Sequence, residues 1–197
     1  MVVNGDEYAR AQDDLYVTKF DPWDNFDGPR FNIYRQYHKI ITSLILPRYK
    51  TVMDIGCGAG GLVHLINTTT DFRAVGVDTS RHAIAIAREK FPWDYEVGDI
   101  RYWIPAEKVD VVLSTGPYYH LIPEERAGVL RHVKSYLNDG GAFLIAYGGC
   151  MDLDGNVKNY PDLSGEIFSE YKKQQYVCYM YKDGEENGSY VFYVGEK

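Results

Sequence analysis

Gly56, Gly58 and Gly60 follow a short apolar segment, Val52-Met-Asp-Ile55, and stand just ahead of a helical pattern. Without Cβ atoms these positions can take positive φ and let a ligand approach the backbone. The helix N-terminus beyond them offers unpaired N–H groups suited to a carboxylate or phosphate. A second strand pattern, Ala74-Val-Gly-Val-Asp78, ends in an acid eighteen positions after Gly60. A carboxylate there can accept both hydrogen bonds of a ribose diol, each charged bond contributing about 1.5–3 kcal/mol. Turn and acid together read as the grip of a nucleotide-like cofactor. The glycines alone do not name it, since Gly56, Gly58 and Gly61 also satisfy the G-x-G-x-x-G spacing of dinucleotide sites.

Positioning those groups requires alternating strands and helices. The pattern predicts strand 51–55 and helix 60–67, strand 73–77 and helix 80–90, then strand 94–97 and a loop holding Trp103 and Pro105. Ser80 is suited to cap the second helix, Ala83, Ile84 and Ala87 to face the sheet, and Pro92 to prevent continuation. Strand 109–114 is an apolar run, as expected of a parallel strand buried on both faces. Helix 123–137 opens with Pro123, carries Glu124 and Glu125 at its positive dipole end and has Gly140 and Gly141 past its stop. Strand 142–147 follows. Upstream, Ile33, Tyr37, Ile40 and Leu44 recur at helical spacing, predicting an amphipathic helix from Phe31 to Leu46 ended at Pro47. In the tail, a Gly-rich loop at 148–155 and a helix near 163–174 precede two alternating segments, Tyr176–Lys182 and Ser189–Val194. The turn-rich Asp-Gly-Glu-Glu-Asn-Gly between them predicts a β-hairpin.

A chain of 197 residues fits one domain, burying about 70% of the surface its unfolded form would expose. The separate substrate domain of an ordinary nicotinamide dehydrogenase does not fit. Residues 1–30 form a distinct arm, polar yet carrying Tyr8, Tyr16, Phe20, Trp23 and Phe26. It is either a lid across the active site or a cover for apolar surface. Residues 31–197 form the main domain. Cys57, Cys150 and Cys178 have neither disulfide nor metal spacing, so reduced thiols, no metal and a cytoplasmic protein are expected. No apolar run reaches the roughly 20 residues of a membrane span, and no signal peptide is visible. The net charge of −7 argues against a nucleic-acid substrate, whose phosphates normally meet a basic face.

Beyond the glycines, the chain resembles the class I S-adenosylmethionine-dependent methyltransferases of small-molecule type. The acid Asp54 stands two residues before Gly56 in DIGCGAG, as in that family's first motif. VGVDTS at 75–80 continues the match, and VGDIR at 97–101 resembles the adenine-flanking motif. DVVLSTGPYYHL at 110–121 resembles the fourth strand and its loop, and LRHVKSYLNDGGAFLIAYG at 130–148 the fifth helix-strand unit. The resemblance spans about residues 30–197. It implies an α/β fold with a doubly wound, mostly parallel seven-stranded sheet ending in a C-terminal antiparallel hairpin, the Rossmann-like methyltransferase fold. It also implies S-adenosylmethionine as cofactor, with S-adenosylhomocysteine as product. By that resemblance the backbone of Gly56, Cys57, Gly58 and Gly60 cradles the methionyl part and Asp78 takes the ribose hydroxyls. Asp54 orients the loop or a water near the amino group, and Thr79 contributes at backbone level. Asp99 and Ile100 flank adenine, and Ser114 or Thr115 lines the base of the methionyl pocket.

Methyl transfer from a sulfonium is an in-line displacement, in which alignment can supply about 7–11 kcal/mol of barrier reduction. The loop after the fourth strand emerges at the carboxyl edge of the sheet, where ligands of open α/β sheets bind. It carries Tyr118, Tyr119 and His120, with Tyr119 and His120 as catalytic candidates and Tyr118, Trp23 and Arg30 as substrate contacts. His120 either takes a proton from the acceptor or hydrogen-bonds the loop. Among the eighteen tyrosines, Tyr8, Tyr16, Tyr179, Tyr181, Tyr190 and Tyr193 either line a cleft or serve the architecture. The expectation is a transferase methylating nitrogen or oxygen of a small metabolite such as an amine, amino sugar or natural-product intermediate. It would work as a monomer or homodimer, away from membranes. A partner-dependent protein or RNA methylase, and a cofactor-binding subunit without turnover, stay open as alternatives.

Overall fold

Five parallel strands form the centre of the computed structural model, which describes residues 4–23, 25–26, 29–44, 48–148, 172–182 and 185–197. They are β1 (Thr51–Ile55), β2 (Arg73–Asp78), β3 (Tyr95–Val97), β4 (Val109–Ser114) and β5 (Leu137–Gly148), lying side by side in the order β3-β2-β1-β4-β5. β7 (Glu185–Glu196) adds to β5 in antiparallel register, and β6 (Lys172–Lys182) pairs with β7 at the edge, also antiparallel.

Alternation along the strands explains why helices cover both faces. Val52, Val111 and Leu113 face one side, where they meet Tyr37 and Ile41 of α2 (Pro29–Leu44). Leu62, Val63 and Ile66 of α3 (Gly61–Thr69) and Ile84 and Ala87 of α4 (Arg81–Lys90) complete that layer. Met53, Ile55 and Val112 face the other side, under Val129, Leu130, Val133 and Tyr136 of α6 (Pro123–Tyr136). Burying a Val or Leu side chain contributes about 1.5–3 kcal/mol, so these two layers fix where the strand ends lie. The fold is the doubly wound α/β arrangement that the family resemblance implied.

Several boundaries move. The helix expected over Phe31–Leu46 begins at Pro29 and is described to Leu44, residues 45–47 lying outside the described residues. β5 starts at Leu137 rather than 142, because Leu137 pairs with Val109 before a bulge lets Ala142 pair with Val111. Gly140, at φ 73°, makes that irregularity possible. Residues 163–171 of the expected helix near 163–174 lie outside the described residues, and 172–174 are strand. The loop after β4 contains a short helix, α5 (Pro117–His120). The arm contains α1 (Gly5–Thr18), capped by Asn4, whose side chain accepts from the Glu7 N–H at 3.0 Å.

Candidate functional site

The turn between β1 and α3 places its three expected glycines in the left-handed region, with φ of 86° at Gly56, 54° at Gly58 and 87° at Gly60. Side chains approach too closely for any other residue. A Cβ at Gly56 would strike the Pro117 ring, one at Gly58 would lie 2.5 Å from the Tyr16 hydroxyl, and one at Gly60 would lie 2.6 Å from that of Tyr95. The Gly56 and Cys57 N–H groups donate to the Val77 carbonyl at 2.7 and 3.1 Å, tying the turn to the end of β2.

Asp78 ends β2 and is nearly buried. One carboxylate oxygen accepts from the Gly58 N–H at 2.9 Å and the other from the Ser80 N–H at 2.8 Å. A carboxylate oxygen has two lone pairs, so each retains capacity for a ligand hydroxyl. Burial raises the Asp78 pKa against these hydrogen bonds. Asp54, also buried, lies close enough to interact with it, and burial followed by the Asp78 charge pushes the Asp54 carboxyl up to about 7. Two buried groups at this turn have atoms without a hydrogen-bond partner among the described residues, Oδ1 of Asp54 and the hydroxyl of Tyr16. An acidic pair with an unsatisfied oxygen suits a cationic ligand that also carries a diol, which is what a ribosyl sulfonium with an α-amino group presents. The residues present therefore fit the expected cofactor.

The remaining predicted residues are placed as follows. Cys57 is buried, and burial pushes its thiol pKa up. Thr79 follows Asp78 at the top of β2, and Ile100 is buried against the layer that includes Ile55, Val77 and Tyr118. Ser114 is fully buried, its hydroxyl accepting from the Tyr118 N–H at 3.3 Å. Tyr118 itself points into the core, edge-on to Phe143. His120 stacks on Tyr8 of the arm, ring centroids 4.7 Å apart. Trp23 donates to Gln12 at 3.2 Å and packs with Tyr16 and Ala59. The backbone of Arg30 lies in α2 and that of Tyr119 in α5, and their side chains are outside the described residues. Asp99 holds Arg101, accepting from its Nη2 at 2.6 Å and from its backbone N–H at 2.9 Å.

Sequence reasoning missed the arm's polar contacts. Asn25, almost wholly buried, accepts from the Gly61 N–H at 3.3 Å, so one of the α3 donors expected to face an anion is taken by the protein itself. Asp13 accepts from the Ser80 hydroxyl at 2.7 Å and bonds His82 at 3.1 Å. Only a helix-start signal, Asn4 followed by Asp6 and Glu7, could have revealed α1, and nothing local marks its destination.

Residues 52–141 match a family described as a methyltransferase domain. An uncharacterized methyltransferase of Bacillus cytotoxicus is 24% identical over 193 residues, covering 89% of this chain and 90% of that protein. Among solved structures, a Pyrococcus horikoshii protein superposes with a TM-score of 0.72 at 19% identity, covering 93% of this chain and 99% of its own. The N-methyltransferase NodS of Bradyrhizobium japonicum, in complex with S-adenosyl-L-homocysteine, superposes with a TM-score of 0.69 at 17% identity over 98% of each chain. The matched segment contains the glycine turn and Asp78, and the chain is similar there, and in its fold, to S-adenosylmethionine-dependent methyltransferases.

Proposed function

We propose that the protein methylates a nitrogen or oxygen of a small metabolite. The observation that carries this reading is the roof over the site: α1 lies across the carboxyl edge, with Tyr16 against Gly58 and Tyr8 stacked on His120. A helix packed against the turn and against His120 obstructs a folded macromolecule more than a small acceptor. The net charge of −7 agrees, since a nucleic acid would meet repulsion. A nitrogen acceptor is supported by the likeness to NodS, an N-methyltransferase.

S-adenosylmethionine, when bound, supplies a methyl group activated by a positive sulfur. The chain's own residues do the rest. Asp78 accepts the ribose hydroxyls, and Asp54 balances the cationic end. The turn at 56–60 brings backbone against the methionyl part, while Ser114, through Tyr118, fixes the first turn of α5 beside it. His120 is the candidate to hold or take the acceptor's proton, its ring oriented by Tyr8. The arm excludes water from the reacting atoms. Burial on this scale supports alignment as the main source of rate, worth about 7–11 kcal/mol.

The test is release of S-adenosylhomocysteine when purified protein is offered S-adenosylmethionine with panels of amines, amino sugars and hydroxylated metabolites. Turnover with a small acceptor is the expected result. Turnover only with a protein or RNA, or only after adding a partner protein, would contradict the proposal.

A further inference from the structure

Gly5 opens α1 at a position where helix geometry does not require glycine, and the reason lies in another element. A Cβ there would strike the Arg101 guanidinium. That guanidinium is 7% exposed and meets three carboxylates, Asp6 at 2.6 Å, Asp99 at 2.6 Å and Glu125 at 2.9 Å. Glu125 also accepts from the Gly5 N–H with both oxygens, at 3.1 and 3.0 Å. One cation thus joins the first turn of the arm helix, the segment after β3 and the first turn of α6. Hydrogen bonds between ionised groups are the strong ones, and Asp99 holds Arg101 through Nε as well as Nη2. The Asp6 side chain, by contrast, is 75% exposed, so its bond competes with water and is the weakest part of the cluster.

The same helix carries Tyr8 on His120, Asp13 on Ser80 and Tyr16 on Gly58. These contacts set α1 against the glycine turn and the end of β2, and Gly5 and Asp6 dock its first turn. We propose that Arg101 is a positioning residue that latches α1 over the cofactor site, so that cofactor release requires parting Gly5 and Asp6 from the Arg101 cluster. This rests on the reading of the site given above. Asp99, the acid expected beside adenine, is the shared member through which the cofactor side and the latch are connected.

The test is the dissociation rate of S-adenosylhomocysteine from the full chain, followed by stopped-flow tryptophan fluorescence, together with trypsin cleavage after Arg10 and Lys19. Asp6→Asn removes the charge from only the exposed tie and Gly5→Ala obstructs docking without altering charge. Loss of an exposed ion pair corresponds to about a two- to fivefold change. Both variants are expected to release the ligand about that much faster or more, with melting temperature nearly unchanged and with the ligand no longer protecting the arm from trypsin. Release at the wild-type rate from both folded variants would overturn the latch while leaving the cofactor reading standing. No binding by the wild type would overturn that reading and the latch with it.

Discussion

α3 and α1 both reach the glycine turn, but they are held there by different physics. α3 is fastened by Leu62, Val63 and Ile66, each at most 1% exposed, inside a layer shared with two other helices and five strands. In α1 only Gly5 and Tyr16 are buried, and the helix is positioned by hydrogen bonds and ion pairs to Glu125, Arg101 and Ser80. Apolar packing has no competitor in water, whereas each polar tie can be exchanged for a hydrogen bond to solvent. On the proposed reading, one side of the cofactor site is scaffold and the other a reversible cover. Substitutions on the α3 side should change stability, and those on the α1 side should change ligand kinetics.

The largest expected effect is on the scaffold. Leu62→Ala empties a fully buried position and should destabilise the fold by about 2–5 kcal/mol, read as a lowered urea midpoint. A loss under 1 kcal/mol, with faster ligand release instead, would break the comparison by making α3 behave like the arm. Gly60→Ala should come next. An alanine in the left-handed region costs about 1–2 kcal/mol, and its methyl group would press on Tyr95. Thermal stability and cofactor affinity should fall together in this variant, because Gly60 belongs to both scaffold and site.

A pH series sharpens the contrast further. The Asp54 carboxyl is raised from 3.8 to about 7, first by burial and then by Asp78. Between about pH 4 and 7 the folded chain therefore keeps a proton that the unfolded chain has released, so this group's contribution to stability falls as pH rises through that window. A cationic ligand favours the ionised form, so affinity for S-adenosylmethionine should rise as pH passes 7. Asp54→Asn should flatten both trends, as measured by thermal melts and titration calorimetry across the pH range. The smallest effect is expected for Tyr16→Phe. Its hydroxyl lacks a partner among the described residues, so stability should hold or rise slightly. Affinity should drop by no more than about tenfold if the hydroxyl bonds the ligand.

The difference between the two regions also explains what the sequence made legible. β1 and β4 were read to the residue, since an apolar run bounded by turn residues signals a buried strand. The glycine turn and Asp78 were legible because their chemistry depends on residue type at fixed spacing. α1 was not recognised as a helix, because its apolar face is nearly absent and Arg101 lies 95 positions from Asp6. Asp99 was legible as an acid after β3 but not as the partner of Arg101. The start of β5 was misplaced because Gly140 and Gly141 read as helix punctuation, whereas Gly140 lies at an irregularity within the strand.

Titration calorimetry of S-adenosylhomocysteine into folded wild-type protein and Asp78→Ala tests the central claim most directly. The account predicts one site in the wild type and an affinity lowered about 100-fold or more in the variant, from loss of two hydrogen bonds to a charged group. Absence of heat from the wild type, or equal affinity in Asp78→Ala, would contradict it.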